Sequence, residues 1–247
     1  MTDSARTAEL AGALSVVRSR LSAAASAAGR TVEDIEFLPV TKFFPASDVL
    51  ALHQLGCREF GESREQEAAA KVADVAAALG DKDIRWHMIG RIQRNKARAV
   101  TTWASAAHSV DSAALIAALG RGSVEATERG LRSRPLQVYI QVSLDGDPAR
   151  GGVWVERPDD VDALCAVAAG TEGLEFAGLM AIPPLGGDPD PQFARLQDEL
   201  CRVQTHYRQR LGLSAGMSGD LESAVKYGST CVRVGTALMG PRPLTSP

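Results

Sequence analysis

Lys42 stands where the apolar run Phe37-Leu38-Pro39-Val40-Thr41 stops and the loop Phe43-Phe44-Pro45 begins. It is an amine at the carboxyl end of a predicted strand, and in parallel α/β proteins those ends face the ligand crevice. A partly buried lysine there can condense with an aldehyde, whereas a solvated one does no chemistry. The segment Ser229-Thr-Cys-Val-Arg-Val-Gly-Thr-Ala237 reads as a phosphate cradle. Gly235 lets the backbone approach an anion, Thr236 offers a hydroxyl and an amide, and a following helix presents its positive end. The turn from Ser214 to Asp220 adds donors beside it, although Ser218 or Asp220 could equally cap a helix. Arg233 shares strand parity with Gly235 and so points into a barrel, between Val232 and Val234, which point out. A buried guanidinium needs an acceptor: a ligand phosphate, a pyridine nitrogen or an internal carboxylate.

Two more polar clusters close predicted strands, the run from Trp86 to Lys96 and His108-Ser-Val-Asp111. His87 is the pocket-lining candidate of the first, against the plainer role of a satisfied structural histidine. Arg91, Arg94, Lys96 and Arg98 read as a solvated helix face. Glu62 ends another strand, free to bind a ligand or to pair with a neighbouring base.

The elements that must position these residues alternate along the chain. An amphipathic helix over about 5–29 carries Leu10, Leu14, Val17 and Leu21 at three- and four-residue spacing and stops at Gly29. Strands are predicted at 35–41, 58–61, 84–89, 106–110, 136–143, 174–182, near 213–217 and at 230–234. Helices are predicted at 46–55, 63–79, 94–101, 112–129, 158–169, 190–210, 220–227 and after Thr236. Eight βα units without a long linker predict one (β/α)8 TIM barrel over about 35–240 with an extra N-terminal helix, the whole of 1–247 forming one domain. An open sheet is the alternative. The irregular stretches from Asp145 to Pro158 and from Pro183 to Pro191 follow strands and would lie on the active face.

At 45% apolar and 23% charged, the chain has the composition of a soluble globular protein. A net charge of −3 opposes general affinity for nucleic acid or anionic membranes. Cys57, Cys165, Cys201 and Cys231 show no metal-ligand or redox spacing, so free thiols packed as small apolar residues in a reducing compartment are expected, with no metal site. Acids near the amino terminus and charges behind it argue against a signal peptide, and a cytoplasmic location is expected.

Val40-Thr-Lys42, Phe60-Gly-Glu62, the Trp86 to Gly90 run with Gln93, Asn95 and Lys96, His108-Ser-Val-Asp111, Gly178-Leu-Met-Ala-Ile-Pro-Pro184, Gly216-Met-Ser218 and Ser229-Thr-x-Val-Arg-x-Gly-Thr236 together resemble the pyridoxal-phosphate homeostasis (YggS/PROSC) family. The resemblance spans about 35–240, with seven motifs in the family's order. It implies a barrel like the N-terminal domain of alanine racemase, binding pyridoxal 5'-phosphate (PLP). Lys42 matches the lysine of the internal aldimine, and Ser218, Gly235 and Thr236 match phosphate-holding positions. Arg233 matches an arginine of the cofactor site, Met217 and Met180 match neighbours of that pocket, and His87 is added as a cofactor-binding candidate from its place at a strand end.

Ser63, Arg91 and Ala215 depart from the family's usual residues, as does the loop Ala149-Arg-Gly-Gly-Val153, which puts individual ring contacts in question. The family is described as buffering or delivering PLP and affecting amino-acid and keto-acid balance. The resemblance therefore implies a non-catalytic carrier, with apo PLP-dependent enzymes as partners and a monomeric state. A low-activity amino-acid racemase is the alternative. A racemase needs a second acid/base group opposite the lysine, and none of Tyr139, Tyr207 and Tyr227 is an obvious partner.

Overall fold

The computed structural model describes residues 4–80, 84–184, 186 and 188–242. Helix α1 (Ser4–Ala27) leads into β1 (Glu36–Pro39), α2 (Ala46–Gln54), β2 (Glu59–Glu62), α3 (Glu65–Leu79) and β3 (Arg85–Met88). Next come α4 (Ala97–Val100), β4 (Ala106–Val110), α5 (Ala113–Glu128), β5 (Leu136–Ser143), β6 (Val153–Trp154) and α6 (Pro158–Gly170). The chain continues through β7 (Leu174–Met180), α7 (Asp190–Gln204), β8 (Gly212–Ser214), α8 (Leu221–Lys226), β9 (Cys231–Val234) and α9 (Thr236–Met239).

All pairings are parallel, in the order β1-β9-β8-β7-β5-β4-β3-β2, and a bridge from Val40 to Gly61 joins the two ends. The eight wall strands form the predicted TIM-type barrel. Outward strand residues such as Val232 and Val234 pack with Leu10, Leu14, Val17 and Leu21, the stripe the periodicity picked out on α1. Burying each of these leucines stabilises by roughly 1.5–3 kcal/mol, so α1 is a fixed part of the shell. Its first turn is tied down by Arg6, which donates to Asp48 of α2 at 2.8 Å and to the Met239 carbonyl at 3.0 Å.

Three expectations need correction. Strand β6 lies in a stretch expected to be irregular; it pairs with Val142 and Ser143 at the end of β5, and Gly152, at φ 92°, brings the chain close to Ser143. Helix α7 stops at Gln204, six residues short of the prediction. The Gln204 side chain donates to the carbonyls of Tyr207 and Gln209 and accepts from the Leu211 amide, ending the helix and leaving Tyr207 outside it. Cys201 is exposed, unlike the other three thiols. No helix of the described residues is long and apolar enough to cross a membrane.

Gly178 shows how tightly β7 and β8 approach. Its φ is 145°, and a Cβ there would sit 1.9 Å from the Gly212 carbonyl oxygen. Gly178→Ala is therefore expected to destabilise the barrel by about 3 kcal/mol, seen as a lower urea midpoint at unchanged slope.

Candidate functional site at the barrel mouth

Lys42 emerges three residues beyond β1 from backbone stitched to both neighbours: the Val40 amide donates to Val234 and the Thr41 amide to Gly61. Phe43, at φ 71°, is the one non-glycine residue with positive φ among the described residues. That conformation is held by its amide, which donates to Glu67 at 2.6 Å, and by cations over its ring, Arg242 at 3.4 Å and Arg64 at 5.1 Å from the centroid. The turn sets the direction in which Lys42 leaves the wall. Burial holds the Lys42 amine below the usual lysine range, Arg242 and Arg233 push the same way and Glu62 opposes them. More of the amine is uncharged, and so nucleophilic, than on an open surface.

Beneath the lysine, Glu62 resolves into the partner of a base. Lys71 donates to Glu62 Oε1 at 2.7 Å and to the Thr41 carbonyl at 2.9 Å, and the Thr41 hydroxyl donates to the same carboxylate oxygen at 2.6 Å. Burial pushes the Glu62 carboxyl above its usual range, by more than Lys71 draws it down. Its Oε2 is buried with no hydrogen-bond partner among the described residues.

The glycine-rich turns meet beside Lys42. The Ser218 hydroxyl accepts from the Ala237 amide at 3.1 Å, tying the loop after β8 to the first turn of α9. Neither Ser218 nor Asp220 caps α8 through its side chain; Asp220 instead accepts from the Met217 amide. Gly216, at φ 92°, turns where a Cβ would lie 2.5 Å from that of Ala224, while its carbonyl accepts from the Arg233 amide. The amides of Gly235 and Thr236 find no acceptor among the described residues. Gly235 borders Val40, where a Cβ would lie 3.7 Å from that of Val40, so these donors open next to the strand that leads to the lysine.

Arg233 points inward as its parity predicts and is 5% exposed. Its acceptors are the Ser214 hydroxyl at 2.5 Å and the Ala181 carbonyl at 2.9 Å, with no carboxylate among the described residues. Buried Met180 precedes Ala181, and half-buried Met217 stands on the next loop. Lys42, Met180, Met217, Ser218, Arg233, Gly235 and Thr236 thus come together at the carboxyl ends of β1, β7, β8 and β9. His87 sits deeper. Its Nδ1 lies 2.9 Å from His108 Nε2 and its Nε2 lies 2.6 Å from Glu59, so both nitrogens are engaged inside the barrel rather than at its mouth.

Two residues escaped the sequence reading. Ser214 ends a three-residue strand with too little pattern to give parity, and Arg242 follows the last helix with no local signal at all. The basic stretch is partly neutralised, Lys96 by Glu65 at 3.3 Å and Arg98 by Glu125. It borders a cleft of ≈ 910 Å³ on the far side of Phe43, of which Lys42 is not a wall residue.

The donor set suits an aldehyde that carries a phosphate: an amine of lowered pK, two backbone amides at a helix start without partners among the described residues, and a fixed guanidinium. The alanine racemase N-terminal domain family matches residues 14–243. The pyridoxal phosphate homeostasis protein of Mycobacterium tuberculosis is 58% identical over 248 residues, covering 98% of this chain and 96% of that protein. PipY of Synechococcus elongatus, solved with PLP bound, is 33% identical, with a TM-score of 0.78 over 94% of this chain and all of that one. Alanine racemase from Corynebacterium glutamicum shares the fold alone, at 15% identity and a TM-score of 0.65 over 94% of this chain and 60% of that one. The chain belongs to the pyridoxal phosphate homeostasis proteins, built on the alanine racemase N-terminal fold.

Proposed function

We propose that this chain is a single-domain, monomeric, cytoplasmic protein that binds PLP through Lys42 and holds it for supply to apo PLP-dependent enzymes, without a reaction of its own. The observation that carries this reading is the half-buried Lys42, its amine pK lowered, beside the unpartnered amides of Gly235 and Thr236. When bound, PLP supplies an aldehyde carbon for the lysine nitrogen. Gly235, Thr236 and Ser218 would hold its phosphate, Arg233 would offer its remaining N–H groups, and Met180 and Met217 would exclude water beside them. The PLP-bound PipY relative supports PLP as the ligand.

Racemisation is the competing reading, and it requires an acid/base group on the face opposite Lys42. The three tyrosines are engaged elsewhere. Tyr139 stacks on His108 inside the barrel, Tyr207 packs edge-on to Phe176, and Tyr227 lies by Asp190. Incubation of the PLP-loaded protein with alanine or serine in deuterated water is expected to leave the α-proton in place; catalytic exchange that disappears in Lys42→Ala would make it an enzyme.

The phosphate cradle has its own test. Proline is tolerated at the first position of a helix but has no N–H or hydroxyl, so Thr236→Pro removes both cradle donors of that residue and spares α9. Binding of PLP is expected to weaken by about tenfold or more, the loss of a hydrogen bond to a charged group, while pyridoxal, which has no phosphate, binds as to the wild type. Equal weakening of both would place the phosphate elsewhere.

A further inference from the structure

Below Arg233 runs an unbroken file of buried polar side chains that the cofactor reading leaves unused. Arg233 Nη1 is 2.5 Å from Ser214 Oγ, Ser214 Oγ is 2.7 Å from His108 Nδ1, His108 Nε2 is 2.9 Å from His87 Nδ1, and His87 Nε2 is 2.6 Å from Glu59 Oε2. The file crosses the interior from the carboxyl end of β8 to the first residue of β2, from mouth to floor.

With both imidazoles uncharged, donor counting assigns every proton in it. A guanidinium only donates, so Ser214 accepts from Arg233 and gives its single proton to His108 Nδ1. His108 then carries its own proton on Nε2 and donates to His87 Nδ1. His87 in turn carries its proton on Nε2 and donates to the Glu59 carboxylate. Both imidazoles then share one tautomer, protonated on Nε2. Burial, and after it His87 and Arg233, hold His108 well below the usual histidine range, so His108 keeps a nitrogen free to accept from Ser214. The surroundings pin the arrangement: Tyr139 stacks on His108 with centroids 4.6 Å apart, and the other Glu59 oxygen takes Arg85 at 2.9 Å. Glu36 is occupied by the Cys231 thiol at 3.3 Å and stays 3.6 Å from His87 Nδ1.

We propose that Ser214, His108, His87 and Glu59 are positioning residues for Arg233, forming a one-way hydrogen-bond relay by which the carboxylate at the barrel floor fixes the direction of the guanidinium at the mouth. Bonds in such a file polarise one another in the low-dielectric interior, so the charge at one end strengthens the bond at the other. The consequence for ligand binding rests on the PLP reading. A guanidinium pointed at Ser214 and Ala181 presents its remaining N–H groups to the cofactor in one orientation rather than several, and less freedom is lost when the ring arrives.

The test begins without cofactor. In ¹⁵N-labelled protein near neutral pH, His87 and His108 are expected to show protonated Nε2 and unprotonated Nδ1, and the Arg233 side-chain N–H signals are expected to be sharp and slow to exchange. Glu59→Gln keeps an acceptor for His87 but removes the charge, and is expected to broaden the Arg233 signals; Ser214→Ala is expected to abolish them, and Ser214→Thr to restore them. Either histidine found protonated on Nδ1 in the wild type, or Arg233 signals indifferent to Glu59→Gln, overturns the relay.

With PLP added, Ser214→Ala is expected to weaken binding by about tenfold or more and to shift the visible band, while Ser214→Thr and Lys42 labelling stay near wild type. Wild-type affinity and spectrum in Ser214→Ala would overturn the link to the cofactor. Should the wild type take up no PLP at all, the cofactor reading falls, and the signals recorded without cofactor still decide the relay.

Discussion

Lys42→Ala is expected to lose the visible absorbance band that wild type gains with PLP, and borohydride is expected to leave no stable adduct in the variant. In the wild type the reduced adduct should map to Lys42. Weak binding that phosphate competes away should survive, because the amides of Gly235 and Thr236 belong to a different strand end from the lysine. The rate of adduct formation carries a sign that follows from burial. Only the uncharged amine attacks an aldehyde, and the Lys42 pK lies below its ordinary 10.5. The rate should therefore rise with pH and reach its midpoint below that value. A midpoint at the ordinary lysine value would mean that the amine is effectively solvated. Unchanged spectra in Lys42→Ala would remove the site from this lysine altogether.

The second large effect concerns stability. Lys71 and Glu62 are 5% and 0% exposed at the side chain, so Lys71→Met leaves a carboxylate buried without its cation. The expected loss is about 3–5 kcal/mol near neutral pH, read from the urea midpoint. The direction with pH separates this cause from simple repacking. The folded-state pK of Glu62 already lies above its unfolded value of 4.5, and removing Lys71 raises it further. The folded state then binds the proton more readily than the unfolded state. The penalty is full above the raised pK, and it shrinks as the pH falls through that pK and Glu62 is discharged. A deficit independent of pH would assign the loss to packing.

Much of the mouth was legible because it follows from short-range rules. A lysine ending an apolar run, a Gly-Thr pair opening a helix, and the alternation of Val232, Arg233 and Val234 each need only the neighbouring residues to be read. The barrel followed from the βα alternation, and the α1 stripe from its spacing. What sequence could not supply was set across the ring. His87 has inward parity whether it reaches the cofactor or not, and only the stagger of the strands puts it between His108 and Glu59, below the mouth. Ser214 acquires its role from Arg233, 19 positions away. The end of α7 depended on one glutamine side chain folding back over the next seven residues, and β6 on a glycine that brings a loop against β5. These contacts have no local pattern because their partners are distant along the chain.

A closed wall is a ring, and its strength is uneven around the circumference. Between β5 and β7 the ladder runs for most of the strand length, whereas β1 and β2 meet through the single bridge of Val40 to Gly61, two residues before Lys42. One of the two thinnest seams in the circle therefore lies directly under the lysine, the other being β8 to β9, which are registered only at Ser214 and Cys231. Loosening the Lys42 loop breaks one hydrogen bond of the wall, that of the Thr41 amide, and leaves the opposite ladders intact. For the proposed task of holding a molecule and then parting with it, a weak seam of the wall and the lysine loop are the same few residues.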